Sequence, residues 1–427
     1  MASCVPTATV ETTAAIPSTQ TTAASTSPPT TLPTSSSSTT VSTLPPGTES
    51  LPEELRVEIG QLIAITEDLR GLVFKEPPTI TVVSNEELAA RVRTQVEEDY
   101  DTVEADQGLY RLLGLLPADA DLLQTLLDLY GEQVAGYYDG ELGELVVPAR
   151  EGRFTALQRA TLVHELTHSL TDQHFGFNER FTALLDAEEF DKATAYQSVI
   201  EGDATLTEIL YVQQLPFEQQ QEFAQEAFAV QSDTFQSVPL FLQNSLIFPY
   251  DQGLGFVHGL YAEGGFERVD KAYTEPPTSS EQIIEPFDFG RDDPATVAIS
   301  PLTIDGYEIS YESTWGELGF RLMFDQILGG AEDAAVGWGG DRFLLYQNGS
   351  QVVFVLVYQG DQTEDAIEMA TALTRYIDVG MAVEGDGSGQ TYTGEDYAFL
   401  SREGDRVVFV AATDPAVGAT VVRSLNA

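Results

Sequence analysis

Residues 155–176 read TALQRATLVHELTHSLTDQHFG. Thr155 followed by Gln158 fits a capping box, in which the threonine oxygen takes an orphan amide and the glutamine reaches back. Leu157, Leu162, Val163, Leu166 and Leu170 recur at helical spacing. Gly176 stands where a left-handed C-cap belongs, and no proline or glycine interrupts the run. The stretch therefore predicts one buried helix. On it lie His164, Glu165 and His168, in the pattern H-E-x-x-H. Histidines four apart share a helix face and can grip one metal ion, and the glutamate beside the first is placed to handle the proton of an attacking water. The competing reading, a helix with incidental histidines, has to explain why three of the chain's four His fall between 164 and 174. His174 lies too far round and along the helix to share a metal with His164, and is expected at the last turn, where the helix dipole favours it.

Around this helix the composition divides the chain. Residues 1–49 are Ser/Thr/Pro-rich, almost without charge or aromatic residues, and cannot bury a core. They are expected to form a disordered tether. The single cysteine, Cys4, stands near its start after small residues, similar to the lipobox end of a bacterial lipoprotein signal, although no charged and apolar segment precedes it. That resemblance implies a lipid at Cys4, an extracytoplasmic protein tethered to the cell envelope, and membrane contact through the lipid alone. One cysteine rules out a disulfide framework. Asp and Glu number 68 against 20 Lys and Arg, a net charge of −48. This argues against nucleic acid and anionic membrane surfaces as partners. A solvated acidic surface explains the charge more simply than a preference for basic substrates.

Residues 50–299 are expected to form the domain that carries the site. Leu51–Leu72 is amphipathic, Thr79–Val83 reads as a strand, and helices follow from Asn85 and across Leu109–Tyr130. Val134–Tyr138 and Glu144–Val147, turning at Asp139-Gly140, predict a hairpin. Catalytic zinc sites commonly take three protein ligands and leave one position open. Phe190–Leu215 reads as a later helix, and Glu201 in its segment VIEGDATLTE is the chosen third ligand, with Glu188, Glu189 and Glu208 as other candidates. Gly202 and Ala204 are expected to let this helix approach the metal helix. Thr205, Asp203 or Glu208 could accept the second ring N–H of a ligating histidine. Further on, Pro249 is expected to open a helix carrying Tyr250 and His258, both suited to hold an oxyanion.

His164-Glu165-x-x-His168 with a glutamate on a later helix resembles the gluzincins, the thermolysin-like superfamily of zinc metallopeptidases. The likeness spans roughly residues 130–290. It implies a zincin-like catalytic domain with Zn2+ held by His164, His168 and Glu201, Glu165 as general base, and peptide or protein as substrate. It also suggests that a strand just before the metal helix, Leu145–Val147 or Val134–Tyr138, lies along the substrate. The family's aspartate four residues after the ligand glutamate is Thr205 here. Residues 300–427 carry no catalytic constellation. Val352–Val355 and Val407–Val410 occupy matching places in two hairpin-plus-helix units. These predict an α+β sandwich with helices on one face. The chain as a whole is expected to be α+β, a monomer, and a zinc peptidase. The alternative is a non-catalytic envelope binding protein with a metal-stabilised helical domain. The intact Glu165 speaks against it, since a structural zinc site needs no base.

Overall fold

A computed structural model describes residues 45–98, 100–131, 136–148, 153–229 and 233–425. Cys4, nearly all of the tether and the start of the expected strand at Val134 lie outside these residues. The fold is α+β. It opens with α1 (Glu53–Arg70), β1 (Thr79–Val83), α2 (Asn85–Glu98), α3 (Tyr100–Leu112), α4 (Leu122–Gly131), β2 (Tyr137–Asp139) and β3 (Glu144–Pro148). A run of helices follows: α5 (Ala156–Phe175), α6 (Phe177–Asp186), α7 (Phe190–Gln214), α8 (Phe217–Ala229), α9 (Asp233–Ser237), α10 (Leu240–Gly264), α11 (Phe266–Thr274) and α12 (Glu281–Ile284). The remainder comprises β4 (Glu308–Ser313), α13 (Gly316–Leu328), β5 (Trp338–Asn348), β6 (Gln351–Gly360), α14 (Thr363–Gly380), β7 (Val383–Gly385), β8 (Thr391–Gly394), β9 (Tyr397–Glu403), β10 (Arg406–Ala412) and α15 (Pro415–Leu425).

The helix read from residues 155–176 forms with both of its ends as expected. Thr155 and Gln158 make the reciprocal capping box, and Gly176 closes the helix at φ 61°, ψ 41°, its N–H donating to the Asp172 carbonyl. Most of α5 is buried, polar residues included. It packs on α7, α1 and α8, with the small sheet across it. That sheet has the order β1-β3-β2. β1 runs parallel to β3, and β2 pairs antiparallel as the hairpin partner. β3 is thus paired on both sides, which removes Leu145–Val147 as a free edge and leaves β2 at the rim. Nothing local in the sequence marks the parallel partnership of Thr79–Val83 with β3, because it spans more than sixty residues.

The second sheet is antiparallel, in the order β4-β5-β6-β10-β9-β8-β7. Its two expected hairpins are present, and their inner strands pair with Val355 opposite Val410. The helices do not share a face. Strand alternation sends Val352, Phe354, Leu356, Val407 and Phe409 to one side, packed with α14 and α13. Val353, Val355 and Val410 go to the other side, where Val421 of α15 covers them. Because both faces of the central strands are apolar, each needs its own helix layer. The first face also receives Val103, Leu109, Leu112 and Leu116 from α3 and the turn after it, so early helices complete the core of the late sheet.

Two further expectations change at α10. Pro249 lies inside this helix rather than at its start. The proline removes one intrahelical hydrogen bond, and packing against α7 along its length carries the helix through it. Gly202 meets α10 and not the metal helix: its Cα faces the Gly253 carbonyl and Val257.

Candidate metal centre

The centre is built from one face of α5 and one face of α7. A single ligand atom from each of His164, His168 and Glu201 lies within 4.8 Å of the others, and all three residues are buried. The Glu201 Oε2 stands 3.2 Å from His164 Nε2 and 3.3 Å from His168 Nε2. A tetrahedral ion with ligand bonds of about 2.0–2.1 Å separates its ligands by about 3.3–3.4 Å. Spacing and donor set therefore fit a small divalent cation held by two imidazoles and one carboxylate. The group could hold a metal ion.

The electrostatics of these residues reflect their burial together. Burial pulls His164 toward the neutral form, but hydrogen bonds to Glu201 and Glu208 and the charge of Glu165 outweigh it and push the imidazole up to about 10. Burial likewise opposes ionisation of Glu201, yet His168 and His164 together hold its carboxyl down to about 2. An imidazole ligates only in its neutral form, so cation binding at His164 would be proton-linked.

Glu208 is the bracing carboxylate. Its Oε2 lies 3.3 Å from His164 Nδ1, while Glu201 faces the other nitrogen of the same ring. Seven residues separate the two glutamates, which places them two turns apart on one stripe of α7. Asp203 is committed elsewhere: it pairs with the buried Arg70 and accepts the Tyr273 hydroxyl. Thr205 is buried beside the ligand stripe, and no hydrogen bond joins it to a ligand histidine among the described residues. Sequence reasoning left Glu208 as one of three options. Only the pitch of α7 against α5 selects it.

Glu165 is buried next to His164, and its Oε2 accepts the backbone N–H of Tyr138 on β2 at 2.9 Å. Burial raises its carboxyl above the ordinary range, opposed by the two histidines. Tyr138 also donates its hydroxyl to Asp172 of α5, so the rim strand is fastened to the metal helix at two points. Tyr250 comes to the centre from α10, its ring stacked on His164 with centroids 6.2 Å apart and planes at 24°. His258, two turns further along α10, is exposed, and no described contact joins it to the ligands. The helix turns that residue outward, because Phe256, Val257 and Leu260 occupy its buried face. His174 sits at the last turn of α5, bonded to the Val73 carbonyl. Glu188 and Glu189 lie at the start of α7 and face the second sheet, contacting Glu312 and Arg342.

A family model matches the C-terminal part of the chain. Residues 306–422 match a domain of unknown function, DUF8575, which includes the second sheet and none of the residues of the metal centre. No curated protein matches. A crystal structure of a candidate hydrolase with a novel fold from Chloroflexus aurantiacus is similar at 20% identity, over 57% of this chain and 94% of that one, with a TM-score of 0.36. That likeness is too slight to carry either fold or function. Among the described residues no helix is long and apolar enough to cross a membrane.

Proposed function

We propose that this protein is a zinc-dependent hydrolase of peptide bonds of the gluzincin type. The observation that carries the reading is the convergence of His164, His168 and Glu201, one ligand atom of each within 4.8 Å of the others, with Glu165 beside them. Zinc bound there supplies a Lewis acid and brings the pKa of water to about 7. Two imidazoles and one carboxylate are the donor set of catalytic sites, which keep one position open. Glu165 is the general base: it takes the proton of the attacking water and delivers it to the leaving nitrogen. Its raised carboxyl suits a group that must accept and then return a proton. The backbone N–H of Tyr138 holds that carboxylate in place. Tyr250, whose ring stacks on His164, is assigned to steady the oxyanion. Composition alone supports an envelope tether through residues 1–49 and a lipid on Cys4.

The test is Glu165→Gln in the full chain. Turnover of a peptide library falls by at least about a thousandfold while zinc content stays at the wild-type level. Near wild-type activity in that variant would overturn the proposed role, and loss of zinc would make Glu165 a ligand instead.

A further inference from the structure

A cavity of about 260 Å³ lies away from the metal centre, where α3, the first turns of α7 and α10, β4 and α13 meet. Its walls are aromatic. Phe190, Tyr311, Phe343 and Trp315 form a continuous edge-to-face chain, with successive centroids 5.3, 5.7 and 5.8 Å apart. Tyr110 and Phe241 form a second edge-to-face pair at 5.0 Å. Two carboxyl groups, Asp106 and Asp191, belong to the same lining, and no lysine or arginine does among the described residues. Aromatic faces present negative potential, and two carboxyl groups add to it. Anions are therefore disfavoured and organic cations favoured.

The polar groups point the same way. Burial pushes Asp106 up to about 6 and, against the nearby charge of Lys192, Asp191 up to about 7. Each is bonded only to neutral groups in the hydrogen bonds described: Asp106 accepts the Tyr311 hydroxyl, and Asp191 accepts the Ser280 N–H. Trp315 contributes its ring to the wall, its indole nitrogen being closed in beside Gly319.

We propose that this cavity binds a small alkylated ammonium ion, with the alkyl groups against the aromatic faces and the charge balanced by Asp106 and Asp191. Face-on contact between alkylammonium groups and aromatic rings is the established physics of such cages. The cavity is large enough for a quaternary head carrying a short hydroxylated arm. The C-terminal sheet thereby gains a role distinct from the metal centre, since Tyr311 lies on β4 and Phe343 on β5, with Trp315 just before α13 and Phe190 opening α7.

Choline is the probe and 3,3-dimethyl-1-butanol, its uncharged isostere, the control. Calorimetric titration of the full wild-type chain at pH 8 is expected to show saturable choline binding at least about tenfold tighter than the isostere. Intrinsic fluorescence should change along the same isotherm. The chain has two tryptophans, and Trp338 is fully buried and bonded to Asp341, so the change reports Trp315. Asp106→Asn is expected to weaken choline at least tenfold and leave the isostere unaffected. Equal affinities for charged and neutral probes, or no saturable choline signal up to roughly 50 mM, would overturn the proposal. The comparison of the two probes on wild-type protein decides it even if Asp106→Asn does not fold.

Discussion

Replacing Gly202 by alanine places one methyl group between the two longest helices of the centre. In an unstrained helix this exchange gains about 1 kcal/mol of propensity. Here the new Cβ falls well inside van der Waals contact with the Gly253 carbonyl carbon and oxygen, and 2.8 Å from Val257 Cγ2. The first two atoms are backbone and cannot rotate away. A carbon ordinarily keeps about 3.3–3.6 Å from a carbonyl oxygen, so α10 must retreat from α7 by about 1 Å. Overpacking of this kind costs about 1–3 kcal/mol after repacking, more than the propensity gain. Glu201 precedes Gly202 and Tyr250 stands one turn before Gly253, so the same retreat shifts a ligand against the rings of α5. Zinc affinity is expected to fall about tenfold or more. Urea unfolding of the metal-free protein and competitive chelator titration read the two effects. Gly255→Ala is the internal control, because its Cβ meets nothing within 4 Å on the exposed side of α10; it should gain about 0.5–1 kcal/mol. If Gly202→Ala is as stable as wild type and holds zinc as tightly, the close packing of α7 on α10 is not what positions Glu201.

Glu208→Ala is expected to weaken zinc binding about 10–100-fold by freeing His164 Nδ1, with Glu208→Gln milder because it keeps an acceptor; unchanged affinity in both variants would remove Glu208 from the centre. The metal-free protein should be more stable to urea at pH 5 than at pH 8. Asp106 and Asp341 are pushed up to about 6 and Asp191 to about 7, in each case chiefly by burial. A raised carboxyl contributes stability that is full below its unfolded value of 3.8 and is lost as pH rises through its folded one. Each group taken alone makes about 1–3 kcal/mol of difference across that interval. His164, raised to about 10 in the absence of metal, acts in the same direction between those limits. A higher urea midpoint at pH 8 would contradict the burial of these acids.

What the sequence discloses depends on how local the physics is. The ends of α5 are readable because a capping box and a glycine C-cap act within four residues. The hairpin at Asn348-Gly349 and the helix from Pro415 to Leu425 follow from turn chemistry and periodicity in the same way. The pairing of β1 with β3, the docking of α3 under the second sheet and the placement of α14 and α15 on opposite faces are decided by contacts between distant segments. At the centre, His164, His168 and Glu201 were accessible from motif and spacing, whereas Glu208 needed the pitch of α7 and the exposure of His258 needed the rotation of α10. Pro249 misled because proline is far commoner at a helix start than inside one.

The zinc content of the purified full chain, wild type beside Glu201→Ala, tests the central claim most directly. The account predicts about one zinc per wild-type chain and a sharp loss in the variant. No zinc in wild type after reconstitution, or equal zinc in both, would contradict the three-ligand centre and move a non-catalytic binding role into first place.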